Sequence, residues 1–444
     1  MHKRRWILLL LLLMAGRVWA RDRVDYRLSE GVTRTVLSNG LVVLVKPIPG
    51  ARSVAIDVVT RVGAAQEDDT TCGIARLIGN ILERRLYRSQ DRLDDLLDRT
   101  GTVTRVNVNL DYTELAVVTR PDHYNEILQR VLQAYGRRPF AEAEVGEERK
   151  KMYKELANGG GDFNGAYDLF LQVFYRYHPY RQPLGGNATA VHNLTDIQVN
   201  AFFDRWYAPN RTVVCVVGDV DRGLSDTLRK SVLGTLKPVP ENTEVVTWEP
   251  TSTEKEVPLV SDQHMAFLFL GYPAPNVESS DYAAMKVLSA LMGGGVSSRL
   301  WMDLREERGL CYELGSDYPA LSGPSHFLSF VITRPEQVRA SRHRLFVEMD
   351  RIRKENVSES ELEAGRWKVL GNLLSAIETP QGQASALASS EVQGVGYLFT
   401  ERFVDSLWRV SSADVKRVAN RYLDNYTLLV ARPAGTEPIL PDHL

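Results

Sequence analysis

Apolar positions along the chain fall into short strand-like blocks separated by longer stretches with helical spacing. Thr33–Leu37 and Leu41–Val45 flank Ser38-Asn39-Gly40, a turn sequence that predicts a hairpin, and Val54–Val62 predicts a third strand. From Gly73 to Tyr87, Ile74, Leu77, Ile78, Ile81 and Leu82 recur on one side. Arg76, Gly79, Asn80 and Glu83 form an i, i+3, i+4, i+7 stripe on the other, which predicts an amphipathic helix with one marked polar face. A strand pair is expected near Gly101–Thr119, then helices over Tyr124–Gln133, Glu142–Ala157 and Asp196–Tyr207. The apolar run Val213–Val217 reads as a buried strand.

The polar, Pro-bearing stretch Pro238–Lys255 reads as a linker, after which the pattern restarts. His264–Gly271 predicts a strand, and Tyr282–Leu291 and Ser297–Arg308 predict helices. The ends of the two halves echo each other. Leu194-Thr195-Asp196 leads to Arg205-Trp206-Tyr207 and a strand from Thr212; Val410-Ser411-Ser412 leads to Arg421-Tyr422-Leu423 and a strand from Thr427. An echo at this separation points to duplication of a whole domain. The expected fold is α+β: two homologous domains, each an antiparallel sheet packed with helices. They are assigned to residues 21–240 and 257–444, joined by a linker at 241–256.

Residues 1–20 stand outside that fold. A basic start at His2-Lys3-Arg4-Arg5, an apolar run from Trp6 to Ala15 and Val18-Trp19-Ala20 before Arg21 predict a cleaved export signal. The run is too short to span a bilayer. The mature chain is therefore expected in an exported compartment, most simply a bacterial periplasm, with no membrane span of its own. A formal net charge of −2 on 444 residues, without a basic block, predicts no nucleic-acid partner. Of three cysteines, Cys215 lies in an apolar strand and reads as a small buried hydrophobe. Whether Cys72 and Cys311 pair is left open by the sequence.

Several segments, spread from about Thr33 to Val430, resemble the insulinase/pitrilysin family of zinc peptidases, which includes mitochondrial processing peptidase. They are Ser38-Asn39-Gly40-Leu41, Arg61-Val62-Gly63-Ala64, His178-Pro179-Tyr180 and Trp206-Tyr207-Ala208-Pro209-Asn210 with Val217-Gly218-Asp219-Val220. Gly293-Gly294-Gly295-Val296-Ser297-Ser298-Arg299-Leu300 and Arg305 to Tyr312 complete the set. The resemblance implies that the two domains form half of a clamshell chamber. It also implies that the helix Gly73–Tyr87 corresponds to the one carrying an inverted His-x-x-Glu-His zinc motif in active members. There the two His bind the metal from one helix face, and the Glu is general base to a metal-bound water.

Those positions here read Arg76, Gly79 and Asn80; only the later glutamate, Glu155, is retained. Arginine stays protonated and brings charge where a dication would sit, and glycine removes the base. No zinc is expected on this chain, and no pair of its eight His stands at ligand spacing on one predicted helix. Glu155 is expected to pair with Arg76, which takes the metal's electrostatic place. The resemblance also implies that Arg305 and Tyr312 bind substrate and stabilise an oxyanion across the chamber. The Arg fork would grip a peptide carbonyl and the Tyr hydroxyl would donate to the tetrahedral centre. Read alone, Arg305 is an ordinary helix surface residue and Tyr312 a core aromatic.

Two functions follow from the resemblance. One is a non-catalytic subunit of a heterodimeric peptidase, with zinc in the partner and an unfolded or extended peptide as substrate. The other is a non-enzymatic peptide-binding or scaffold protein of the same fold.

Overall fold

The computed structural model describes residues 27–435 apart from 90–91, 94, 137, 159–161, 222, 241–251 and 260–263. The predicted export segment and most of the predicted linker lie outside the described residues. In the first half, β1 (Thr33–Val36), β2 (Val42–Pro47) and β3 (Val54–Thr60) precede helix α1 (Ile74–Leu86). The hairpin β4 (Val103–Val108) and β5 (Thr113–Thr119) follows, then α2 (Tyr124–Gly136), α3 (Glu142–Asn158), α4 (Phe163–Tyr175), α5 (Asp196–Trp206) and β6 (Thr212–Gly218). The second half runs β7 (Thr253–Leu259), β8 (Ala266–Ala274), α6 (Tyr282–Gly293), β9 (Glu313–Asp317), β10 (Ser325–Thr333), α7 (Val338–Lys354) and α8 (Glu359–Ala376). It closes with α9 (Pro380–Val392), α10 (Phe399–Arg409), α11 (Ser412–Tyr422) and β11 (Thr427–Pro433).

The sheets have the orders β1-β2-β6-β3-β5-β4 and β7-β11-β8-β10-β9. Without β1 they match strand for strand. The echo read from sequence is visible in the caps as well. Thr195 starts α5 and Ser411 starts α11, each with a reciprocal side-chain and backbone exchange to the third helical residue.

The two sheets are antiparallel as expected apart from one parallel pair in each. β2 runs parallel to β6 (Val42↔Val213) and β7 runs parallel to β11 (Thr427↔Thr253). In each half the last strand arrives from a helix and inserts between two earlier ones, β6 between β2 and β3 and β11 between β7 and β8. A long crossover of this kind is what parallel pairing requires. β7 also begins at Thr253, inside the stretch expected as linker. Its charged run Glu254-Lys255-Glu256 precedes Val257-Pro258-Leu259, and its two glutamates are held at the sheet edge: Glu254 pairs with Arg342, and Glu256 with Arg432 at 2.5 Å.

β3 and β6 are buried along their whole length because the first sheet is covered on both faces. On one face Val43, Val45, Ile56 and Val58 pack with Leu77, Ile78, Ile81 and Leu82 of α1. On the other, Leu44, Ala55, Val59 and Cys215 pack with Ala384, Leu387 and Ala388 of α9, a helix from the second half. The exchange is mutual. Phe170, Phe174 and Tyr175 of α4 pack on Phe267, Phe269, Leu429 and Ala431 of the second sheet. Gly271 of β8 admits this contact, since a Cβ there would stand 2.3 Å from Phe170 Cζ.

Each exchanged helix carries polar groups to a buried partner on the other half's sheet. Tyr167 and Tyr175 of α4 place their hydroxyls 3.1 and 2.9 Å from the two ring nitrogens of His326 on β10. Gln381 of α9 donates its amide to both carboxyl oxygens of Asp57 on β3, at 3.0 Å each. Burial lowers His326 to about 4 and raises Asp57 well above the usual carboxylate range, with nearby Glu114 adding to the rise. Among the described residues, no helix is long and apolar enough to cross a membrane.

Candidate functional site

α1 is fixed at its start by a buried acid. Glu67 accepts from the backbone N–H groups of Gly73 (2.7 Å) and Ala75 (2.9 Å), satisfying donors that a helix N-terminus leaves open. Burial pushes this carboxyl up to about 8 against the pull of those two bonds. The apolar side of α1 lies on the sheet as the spacing predicts, and the Arg76 stripe turns toward α3.

Arg76 Nη2 meets Glu155 Oε2 at 2.7 Å, and its Nη1 donates to the Gly185 carbonyl at 3.1 Å. The expected ion pair is thus present. With side-chain exposures of 30% and 44% it contributes at most about 1 kcal/mol to stability. Asn80 donates its amide to Glu148 Oε1 at 2.9 Å, and Glu148 is buried, with Arg84 Nη1 3.8 Å from its other oxygen. At Gly79 a Cβ would stand 2.5 Å from Cγ1 of Val106 on β4, so an apolar side chain fills the place a general base would take.

This donor set does not fit zinc. Arg76 has no lone pair to give, Gly79 has no side chain, Asn80 is committed to Glu148, and Glu155 is committed to a cation. Among the described residues no three His, Cys, Asp or Glu side chains stand together as a metal site.

Arg76, Asn80, Val106 and Glu155 line a cleft of about 920 Å³ between α1, α3, α4 and β4. β4 is the edge strand of its sheet among the described residues, and its alternating outward positions leave Val103 66% exposed. Such an edge offers a row of backbone donors and acceptors to an extended chain. Asp168 of α4 lines the same cleft, and burial raises it to about 6. The sequence reading did not single out Glu67, Asp168, Val106 or α4. The Phe163, Tyr167, Phe170, Phe174 spacing was a helix signal that could have found the last of these.

Arg305 and Tyr312 lie elsewhere; neither is among the residues lining that cleft. The stretch expected as an α-helix over Ser297–Arg308 is a π-helix over Trp301–Glu307, a wider winding that recurs at functional sites. Within it the Arg305 guanidinium lies over the Trp301 ring, 5.0 Å from its centroid, and Nη1 donates to the Cys311 carbonyl at 3.2 Å. Trp301 is held in turn by its indole N–H on Glu306 at 3.0 Å. Tyr312 anchors its backbone on Ile332 O at 2.9 Å while the residue stays 56% exposed, which removes the core-aromatic reading. All three cysteines are free thiols: Cys72 and Cys215 are buried and Cys311 is half-buried.

Comparison with known proteins agrees with this geometry. The sequence profile of the peptidase M16 inactive domain matches residues 193–369. An uncharacterized zinc protease of Mycobacterium bovis is 27% identical over 439 residues, covering 96% of this chain and 98% of its own. Zinc protease PqqE of Helicobacter pylori is 25% identical, covering 88% and 90%. Among solved structures, a protease from Helicobacter pylori superposes with a TM-score of 0.81 at 23% identity, over 90% of this chain and 99% of that one. A peptidase M16 inactive domain from Pseudomonas fluorescens gives 0.81 at 18% identity, over 92% and 99%. The middle of this chain is thus similar to the peptidase M16 inactive domain, and from end to end the chain is similar to proteins named zinc proteases and shares the two-domain fold of the solved structures.

Proposed function

We propose that this chain is the non-catalytic subunit of a two-chain M16 peptidase, supplying Arg305 and Tyr312 to a zinc site held by a partner subunit. One contrast carries the reading: the motif face of α1 is closed by Arg76–Glu155 and Val106, while Tyr312 is presented to solvent beside a braced Arg305. A scaffold would have no use for an exposed phenol next to a guanidinium whose direction is set by a ring and a carbonyl. The roles follow from chemistry. The planar Arg fork suits a peptide carbonyl, and the Tyr hydroxyl suits the negative oxygen that develops at a carbonyl under attack. The edge of β4 offers a track for the extended peptide.

The charged and apolar order of residues 1–20 supports export, and we place the complex in the periplasm on that basis. The experiment is co-expression of the mature chain with M16 chains that keep an intact His-x-x-Glu-His motif. A stable complex should form that hydrolyses unstructured peptide, while this chain alone neither holds stoichiometric zinc nor cleaves. Full activity of the zinc-bearing chain alone, unchanged by adding this one, would overturn the proposal.

A further inference from the structure

The second half contains a counterpart of the cleft beside Arg76. A cavity of about 390 Å³ is bounded by α6, β9, α8 and α9, with α10 closing one side. By strand order and element order, α6, β9, α8 and α9 correspond to α1, β4, α3 and α4, which bound the cleft of the first half. Both cavities have a cation on the central helix. In the first half it is Arg76, neutralised by Glu155 of α3. In the second it is Lys286 of α6.

Lys286 has no ion-pair partner among the described residues. Its ammonium donates to the Tyr318 carbonyl at 2.6 Å and sits 5.5 Å from the ring centroids of both Tyr282 and Tyr318. The helix that supplies Glu155 in the first half supplies Asn372 here, at the same distance from the start of its helix, and Asn372 lines the cavity. The carboxylate that lines the cavity is Asp317, exposed and without an ion-pair contact to Lys286. One carbonyl and two ring faces leave ammonium donors unused in a poorly hydrated place, where an unpaired charge is costly.

We infer that this cavity is a binding site for a carboxylate carried on an apolar group, the chemistry of a peptide C-terminus or a small hydrophobic acid. The volume lies within the usual range for small-molecule pockets, about 300–1,000 Å³. Phe399, Phe403 and Leu373 give apolar walls, while Ser289, Asn372 and Gln393 give neutral hydrogen-bonding groups. A single ammonium with neutral donors suits a monoanion. A phosphate dianion would meet too little positive charge here and Asp317 besides. The inference rests on the second half alone and does not depend on a zinc-bearing partner.

The test is calorimetric titration of the mature chain with N-acetyl-L-leucine and with N-acetyl-L-leucinamide, which differ only in the charge. The acid should bind at least tenfold more tightly than the amide. Lys286→Met should bring the acid down to the amide's level, and Asp317→Asn, a change of an exposed side chain, should tighten acid binding severalfold. The tetrapeptide Ala-Ala-Ala-Leu as acid and amide separates the sources. Retained acid preference marks a site for peptide ends, and its loss there marks one for small free acids. Equal binding of N-acetyl-L-leucine and its amide, or weaker acid binding by Asp317→Asn, would overturn the inference, whether or not Lys286→Met folds.

Discussion

Apart from β1 the two halves are built from corresponding strands in the same order, yet their polar groups are arranged differently. In the first half, the polar face of α1 is filled: Arg76 closes on Glu155, Asn80 on Glu148, and Val106 lies against Gly79. In the second half, the stretch from Trp301 to Tyr312 keeps a guanidinium braced on a ring and a phenol in solvent. On the closed face Arg76, Asn80 and Glu155 each have a polar partner. The open one leaves the Tyr312 side chain to solvent. The same contrast separates Arg76, ion-paired, from Lys286, which has no ion-pair partner among the described residues, in the corresponding cavities.

The exchanged helices differ too, and truncating them should show it. α4 brings Phe170, fully buried on the second sheet, whereas α9 brings Leu387, Ala384 and Ala388 to the first. Phe170→Ala is expected to cost about 3–5 kcal/mol in denaturant unfolding, near the top of the range for core truncations, and Leu387→Ala less, about 2–4 kcal/mol. If Leu387→Ala proved the costlier, the aromatic exchange would not be the main bond between the halves.

The polar partners of those helices sharpen the comparison through pH. His326 is neutral in the fold with its value lowered to about 4, so unfolding takes up a proton once pH falls below the ordinary histidine value near 6.5. Stability should therefore be fully present above about pH 6.5 and fall as pH drops toward 4, by up to roughly 3 kcal/mol. His178, also lowered to about 4 by burial, contributes in the same direction. His326→Gln should flatten part of that slope in melts taken across the range. A slope unchanged by the substitution would assign it to other groups. Asp57, raised in the fold, has the opposite sign: what it contributes is lost as pH rises through its folded value.

The smallest effect is expected at Arg76. With Glu155 44% exposed, loss of the guanidinium leaves a carboxylate that water can reach, and Arg76→Ala should cost no more than about 1 kcal/mol. A cost of several kcal/mol would mean the closed site is a structural keystone.

Much of this was legible in the residues, for physical reasons. α1 and its stripe follow from a 3.6-residue period that a sheet below enforces, and the Arg76–Glu155 pair follows from a carboxylate that would otherwise face a vacated site. The duplication was visible where capping chemistry repeats, at Thr195 and Ser411. The parallel strand pairs and the exchange of α4 and α9 were not legible, because nothing local says which sheet a helix will cover. α9 spaces Ala384, Leu387 and Ala388 among Ser and Gln, an apolar stripe too thin to read. Lys286 looks like any solvated lysine on an amphipathic helix until the cavity around it is seen. Tyr312 was ambiguous between core and surface until its exposure settled the matter.

The most direct test of the account is the turnover of the reconstituted two-chain peptidase with Tyr312→Phe. That change keeps the ring and removes only the hydroxyl, so the complex should still assemble. If the hydroxyl serves the oxyanion, kcat should fall by roughly a hundredfold, the usual scale for one such donor. Unchanged kcat in an assembled complex would contradict the account and turn this chain into a scaffold.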